Sequence, residues 1–229
     1  MERSGRLRRL VLVRAAHAAG PRERGDPPLS ERGRDQMEAL LRRWEWAERV
    51  VSSTLRRARE SASILSRGLP VGLDPDLAPL DRGRLAGLSP EELRARDPAT
   101  FEDWRSGRED LAFPGGDTRA DFRARVGRAL EGLRSGPWFS VLVVSHGETI
   151  RELVERLAGT PLPEGRPRIG ELALVTRDAD GRWRLGRRSS DPEPLRSPLE
   201  RTGLLGSSDP LDDRHVAPLE LRLGDGRLP

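Results

Sequence analysis

Val141-Leu142-Val143-Val144-Ser145-His146-Gly147-Glu148-Thr149 begins as an unbroken aliphatic run and stops abruptly at small and polar residues. A run with no polar alternation suits a strand covered on both faces, which is the environment of a parallel sheet. Directly after it, Ile150, Leu153 and Val154 recur at helical spacing, so a helix is expected from about Thr149 to Leu157. Strand, tight glycine-containing turn and helix form the unit from which α/β sheets are built. The loop at the carboxyl end of such a strand is where these sheets place chemistry.

The same unit recurs upstream. Leu10 to Val13 reads as a buried strand ending in Ala15-Ala16-His17-Ala18-Ala19-Gly20. Ser30 can cap a helix from about Glu31 to Trp46, with Met37, Leu40 and Leu41 on one face. Arg49 to Ser52 is a second short strand, followed by a helix from about Leu55 to Ser66, and Pro70 and Pro75 bracket an irregular strand. Pro90 opens a further helix with Ser89 as its cap. Asp97 to Thr118 has no clean period and reads as a long excursion, the kind of segment that often forms a lid, with Trp104 either an apolar wall or a structural residue. From Thr118 to about Arg134 an apolar stripe of Phe122, Val126, Ala129, Leu130 and Leu133 marks a core-facing helix, and Glu171 to Thr176 with Trp183 to Leu185 reads as a terminal hairpin. Alternating strands and helices predict a three-layer α/β/α sandwich around a mostly parallel sheet, joined by right-handed crossovers. The expected domain covers 1–188. Residues 189–229 decay into Pro, Ser, Asp and Arg and read as an extension, in which Leu219 to Leu223 could add one edge strand.

Composition narrows the function classes. The 229 residues contain no cysteine, which excludes a disulfide scaffold and a thiolate zinc site. The isoelectric point near 10.9 overstates the case for a nucleic-acid partner, because Arg alternates with Asp and Glu and the formal net charge is only +4. Aromatic residues are 4% and stud no basic strand, so a basic RNA- or protein-binding module is the competing class and not the expected one. The apolar stretch near the amino terminus is interrupted by Arg14 and is too short for a secretory signal, and no segment has the length of a membrane span. A cytoplasmic protein with no membrane or nucleic-acid partner is expected, and a homodimer is compatible with the sequence.

Four segments carry polar residues at the predicted element ends: Val13-Arg14-Ala15-Ala16-His17, Ser52-Ser53-Thr54-Leu55-Arg56-Arg57-Ala58, Pro114-Gly115-Gly116-Asp117-Thr118 with Arg125-Val126 beyond it, and Val144 to Thr149. Pro28-Leu29-Ser30-Glu31-Arg32-Gly33 and the glycines Gly83 and Gly87 accompany them. In this order and spacing they resemble the histidine phosphatase superfamily, the phosphoglycerate-mutase-like fold, over about residues 7 to 185. In that family a neutral imidazole attacks phosphorus and forms a phosphohistidine, while two guanidinium groups and a second imidazole hold the nonbridging oxygens. The resemblance makes Arg14 and Arg57 the clamp arginines, with Arg56 a competitor for the second role. It makes His146 the second histidine and lets the backbone amides of Gly147 and Glu148 add donors for a phosphorylated small-molecule substrate. It implies neither a metal nor a cofactor.

Two positions depart from the family pattern. Ala15 stands where the nucleophilic histidine is expected and offers no lone pair to phosphorus. His17, on the same tight loop, is expected to point elsewhere. Pro79 falls near the position of the family's acid, so Asp81 or Glu148 would have to serve as proton donor. The resemblance therefore implies a phosphomonoester hydrolase that is inactive or substrate-trapping as written. One account of Ala15 is a deliberate replacement of histidine, which the intact Arg14, Arg57 and His146 favour. The other is a natural pseudoenzyme that binds phosphorylated ligands without turnover.

Overall fold

The computed structural model describes residues 7–20, 26–42, 47–160, 162 and 167–189. Six strands form one mixed sheet: β1 (Arg9–Arg14), β2 (Arg49–Ser53), β3 (Val71–Asp74), β4 (Ser140–Ser145), β5 (Leu172–Arg177) and β6 (Trp183–Ser189). Their order is β3-β2-β4-β1-β5-β6. The first three neighbouring pairs are parallel, and the β1–β5 and β5–β6 pairs are antiparallel. The expected terminal hairpin is thus what closes an otherwise parallel sheet. The helices are α1 (Glu31–Leu41), α2 (Arg56–Leu65), α3 (Pro90–Arg96), α4 (Pro98–Ser106), α5 (Arg119–Ser135) and α6 (Gly147–Ala158).

The strand pattern dictates the layers. Side chains alternate across a pleated sheet, and here Val11, Val13, Leu142, Val144, Leu172 and Leu174 pack with Met37 and Leu40 of α1 and Ala58, Ala62 and Leu65 of α2. The intervening residues Leu10, Leu12, Val141, Val143, Ala173 and Val175 pack with Leu93 of α3, with Phe122, Val126 and Leu130 of α5, and with Ile150 and Leu153 of α6. An α/β/α sandwich results, and the stripe on α5 is core-facing as its spacing predicts. Fully burying one of these Val, Leu, Ile or Phe side chains contributes about 1.5–3 kcal/mol.

The excursion differs from expectation: it contains α4. Asp97 ends α3 and also caps α4, its carboxylate accepting from Thr100 N–H and O–H at 3.0 and 2.8 Å. Pro98 holds the first helical position and Gly107, with φ of +76°, ends the helix in the left-handed region. Phe101 and Trp104, one turn apart, meet edge to face with ring centroids 6.2 Å apart. Buried Arg119 holds the far side of the segment, donating to the carbonyls of Arg108 and Trp104 at 2.9 and 3.3 Å. Helix α6 also begins earlier than its apolar period suggests, at Gly147. Residues 43–46 of the expected first helix and the Leu219 to Leu223 strand lie outside the described residues. No helix among the described residues is long and apolar enough to cross a membrane.

Candidate active site

Three parallel strands, β2, β4 and β1, finish side by side. The register pairs Arg14 with Ser145 and Ser52 with Val144, so the segments carrying Ala15, Arg57 and His146 leave the sheet together. Ladder bonds continue past β1: Arg14 N–H donates to Glu171 O at 3.0 Å and Ala15 N–H to Ser145 O at 2.8 Å. Ala15 is buried. Ala16 N–H then donates to Ser61 Oγ at 3.2 Å, and Ser61 donates to Arg57 O at 2.8 Å, tying the loop after β1 to α2.

His146 is the most constrained of the candidates. Its Nε2 lies 2.9 Å from Ser53 Oγ and its Nδ1 lies 3.4 Å from an Nη of Arg57. Burial, then the charges of Arg57, Arg14 and Arg125, push its pKa well below the usual histidine range. The imidazole is therefore neutral at neutral pH. His146 also occupies the N-cap of α6 in extended backbone and makes no side-chain cap hydrogen bond. The first amides of α6, those of Gly147 and Glu148 included, have no intrahelical acceptor and lie at the positive end of the helix dipole. Burial lowers the basicity of Arg57 and the nearby carboxylate of Asp26 raises it.

Of the two adjacent arginines, Arg57 turns inward. Arg56 is exposed and pairs with Glu60 at 2.8 Å. Arg14 is half-buried and donates to Pro167 O at 2.6 Å. His17 is drawn away from the strand end, its Nδ1 lying 2.9 Å from Ser30 Oγ at the cap of α1. Asp81 has a local task, its carboxylate accepting from Gly83 N–H at 2.9 Å. Glu148 is largely buried beside His146, with Arg151 3.4 Å away. Trp104 lies under Arg82, 5.8 Å from the guanidinium carbon to the ring centre, and packs against the core, which is the structural reading of that residue.

A set of side-chain ties holds the loop of residues 76–81 over the strand ends. Ser145 Oγ donates to Leu77 O at 2.7 Å and Thr149 Oγ1 to Ala78 O at 2.9 Å. Arg125 donates to the carbonyls of Asp76, Ala78 and Pro79 at 3.1, 2.7 and 2.7 Å and to Asp117 Oδ2 at 2.8 Å. The Pro114-to-Asp117 segment and Arg125 thus act together, as a brace for this loop. Two residues without a role in the sequence reading also belong to the site. Ser53 lies inside the Ser52-to-Ala58 segment and its serine next to the strand end was the available signal. Asp26, whose carboxylate oxygens accept from Arg56 N–H at 2.7 and 2.6 Å, had none. Among the described residues no group of three or more His, Asp and Glu could hold a metal.

Two guanidinium groups, an imidazole and a helix amino terminus at parallel strand ends are groups with the chemistry to hold an oxyanion. Residues 10–186 match the histidine phosphatase superfamily (branch 1), and the chain belongs to that family. It is similar to phosphoserine phosphatase 1 of Hydrogenobacter thermophilus, 32% identical over 164 residues that cover 67% of this chain and 78% of the relative. It is also similar to the 2,3-bisphosphoglycerate-dependent phosphoglycerate mutase of Methylobacterium radiotolerans, 32% identical over 177 residues, 68% of this chain and 80% of the relative. A solved structure of a mycobacterial glucosyl-3-phosphoglycerate phosphatase with VO3 matches with a TM-score of 0.65 at 31% identity, covering 78% of this chain and 97% of that one. The activity these relatives define is of phosphatase or mutase type.

Proposed function

We propose that this chain is a phosphomonoester hydrolase of the histidine phosphatase type that, with alanine at position 15, binds a phosphorylated small molecule without turning it over. The observation that carries the reading is the Arg57–His146 contact at the strand ends, with the charge of Arg14 acting on the same imidazole and Ala15 on the adjoining backbone. In a chain with histidine at that position, the ring nitrogen forms a bond to phosphorus as the bond to the leaving oxygen breaks. Water then cleaves the phosphohistidine and restores the imidazole. Arg14, Arg57, His146 and the amides of Gly147 and Glu148 would hold the nonbridging oxygens through both steps. Asp81, which accepts from the Gly83 amide, and Glu148, which pairs with Arg151, are the two carboxyls we propose as proton donor to the leaving oxygen. The methyl group of Ala15 can take no part. Whether the alanine arose by design or by descent, the consequence at the site is the same.

The test is Ala15→His, assayed for hydrolysis across a broad panel of phosphomonoesters beside the parent chain. Turnover by the variant alone is the expected result. Absence of hydrolysis with every ester, in a variant that melts like the parent, overturns the assignment. We favour hydrolysis over mutase transfer, and release of inorganic phosphate without transfer to a second acceptor distinguishes them.

A further inference from the structure

The two ring nitrogens of His146 face partners of different character. A guanidinium group can only donate, so Nδ1, 3.4 Å from Arg57, has to present its lone pair. The proton of the neutral ring then sits on Nε2, 2.9 Å from Ser53 Oγ. Ser53 is fully buried at the end of β2, and its hydroxyl oxygen also accepts from Leu55 N–H at 3.4 Å. With the opposite tautomer, an Nδ1–H would meet an Arg57 N–H head on. Without the Ser53 hydroxyl, a buried Nε2–H would lose its acceptor, which is costly.

We propose that Ser53 is the positioning residue that holds His146 as the Nε2–H tautomer, and that an oxyanion can therefore occupy the clamp only when Nδ1 takes up one proton. The second half of this rests on the phosphate-site reading above. Oxygens of a dianion only accept, so an unprotonated Nδ1 would set lone pair against lone pair. In the free protein the groups bearing on the ring are cationic: Arg57 from α2, Arg14 from β1 and Arg125 from α5. Two neighbouring carboxylates have cationic or amide partners of their own, Glu148 with Arg151 and Asp26 with the start of α2 beside Arg57. An arriving dianion reverses that balance. The proton comes from solvent when the ligand is a dianion, and on the ligand itself when it is a phosphate monoanion. Nε2–H keeps its bond to Ser53 in both cases.

Two measurements on the full chain test this. In ¹⁵N spectra, with His146 assigned by comparison with His146→Gln, the parent is expected to show a pyrrole-type Nε2 and a pyridine-type Nδ1. Ser53→Ala should shift the ring toward the other tautomer and Ser53→Thr should restore it. Sulfate stays a dianion over the working range, so its calorimetric titration isolates the protein's proton. Uptake of one proton makes its affinity fall as pH rises above about 6.5, by at most about tenfold per pH unit, a slope that Ser53→Ala should flatten. A parent spectrum with the proton on Nδ1 overturns the proposal. So does saturable sulfate binding that is lost in Arg57→Ala yet independent of pH, and that result leaves the phosphate-site reading standing. Absence of saturable binding by both sulfate and inorganic phosphate overturns both. If Ser53→Ala fails to fold, the parent spectrum and parent slope decide.

Discussion

Replacing Arg125 by methionine tests whether the brace over the strand ends is the structural element described above. The guanidinium reaches three carbonyls and one carboxylate, its side chain is only 13% exposed, and it lies 4.8 Å from the centre of the Phe122 ring. Methionine keeps most of the aliphatic stem, so the loss is mainly polar. Ala78 O keeps its bond from Thr149 and Asp117 Oδ2 keeps its bond from Asp81 N–H, but the Asp76 and Pro79 carbonyls lose the Arg125 donor. A stranded acceptor costs about 1–3 kcal/mol, and the lost charge-assisted bond to Asp117 adds to this, so a total of about 3–4 kcal/mol is expected. For a chain of this size that lowers the melting midpoint by roughly 10 °C. Arg128→Met is the control: Arg128 is 64% exposed and pairs with Asp76 at 2.9 Å, so its removal should cost below about 1 kcal/mol. Denaturant and thermal unfolding of both variants gives the comparison. Equal, small losses for the two would refute the brace.

Asp26→Asn keeps an oxygen for the amide of Arg56 but removes a charge beside Arg57. Inorganic phosphate should bind about three- to fivefold more tightly to it, as expected from roughly 1 kcal/mol of relieved repulsion, and calorimetry that finds weaker binding contradicts this. Because His146 has a folded pKa below its unfolded value, the unfolded chain binds the extra proton. Its contribution to stability is therefore complete above about pH 6.5 and declines as pH falls, by about 1.4 kcal/mol per unit at most, until the folded pKa is reached. His146→Gln should flatten the denaturant midpoint against pH in that window, and an unchanged slope would count against a neutral buried ring. A methyl group at Gly33 would collide with the carbonyl oxygen of His17, so Gly33→Ala should lose about 1–3 kcal/mol as α1 or the loop shifts. A melting midpoint equal to the parent's would show that the contact yields freely.

The parts legible in the sequence are those written locally. Val141 to Val144 and Leu10 to Val13 announce buried strands by their lack of alternation, and Ser30 and Ser89 announce their helices by position. The placement of Arg14, Arg57 and His146 beside the strand ends was legible because each sits at a fixed offset from one. α4 was obscured because one residue, Asp97, closes one helix and opens the next, leaving no loop to separate two patterns. Ser53 and Asp26 act through partners 93 and 30 residues away, and a tautomer or a borrowed cap leaves no periodic trace in sequence. Asp81 also caps its own turn by accepting from the Gly83 amide, a local bond that its sequence position beside Gly83 does not separate from a chemical role.

The place of β4 between β2 and β1 has a consequence for biogenesis. Synthesis delivers β1, β2 and β3 long before residue 140, yet β1 and β2 share no ladder until β4 is inserted between them. A nascent chain that stops short of Ser140 therefore presents hydrophobic strand edges with nothing to pair, the condition under which chains associate wrongly or recruit chaperones. Arg14 and Arg57 come together across the same late strand that ends beside His146. The residues we propose to hold a phosphoryl group should thus come together only at the final cooperative step of folding.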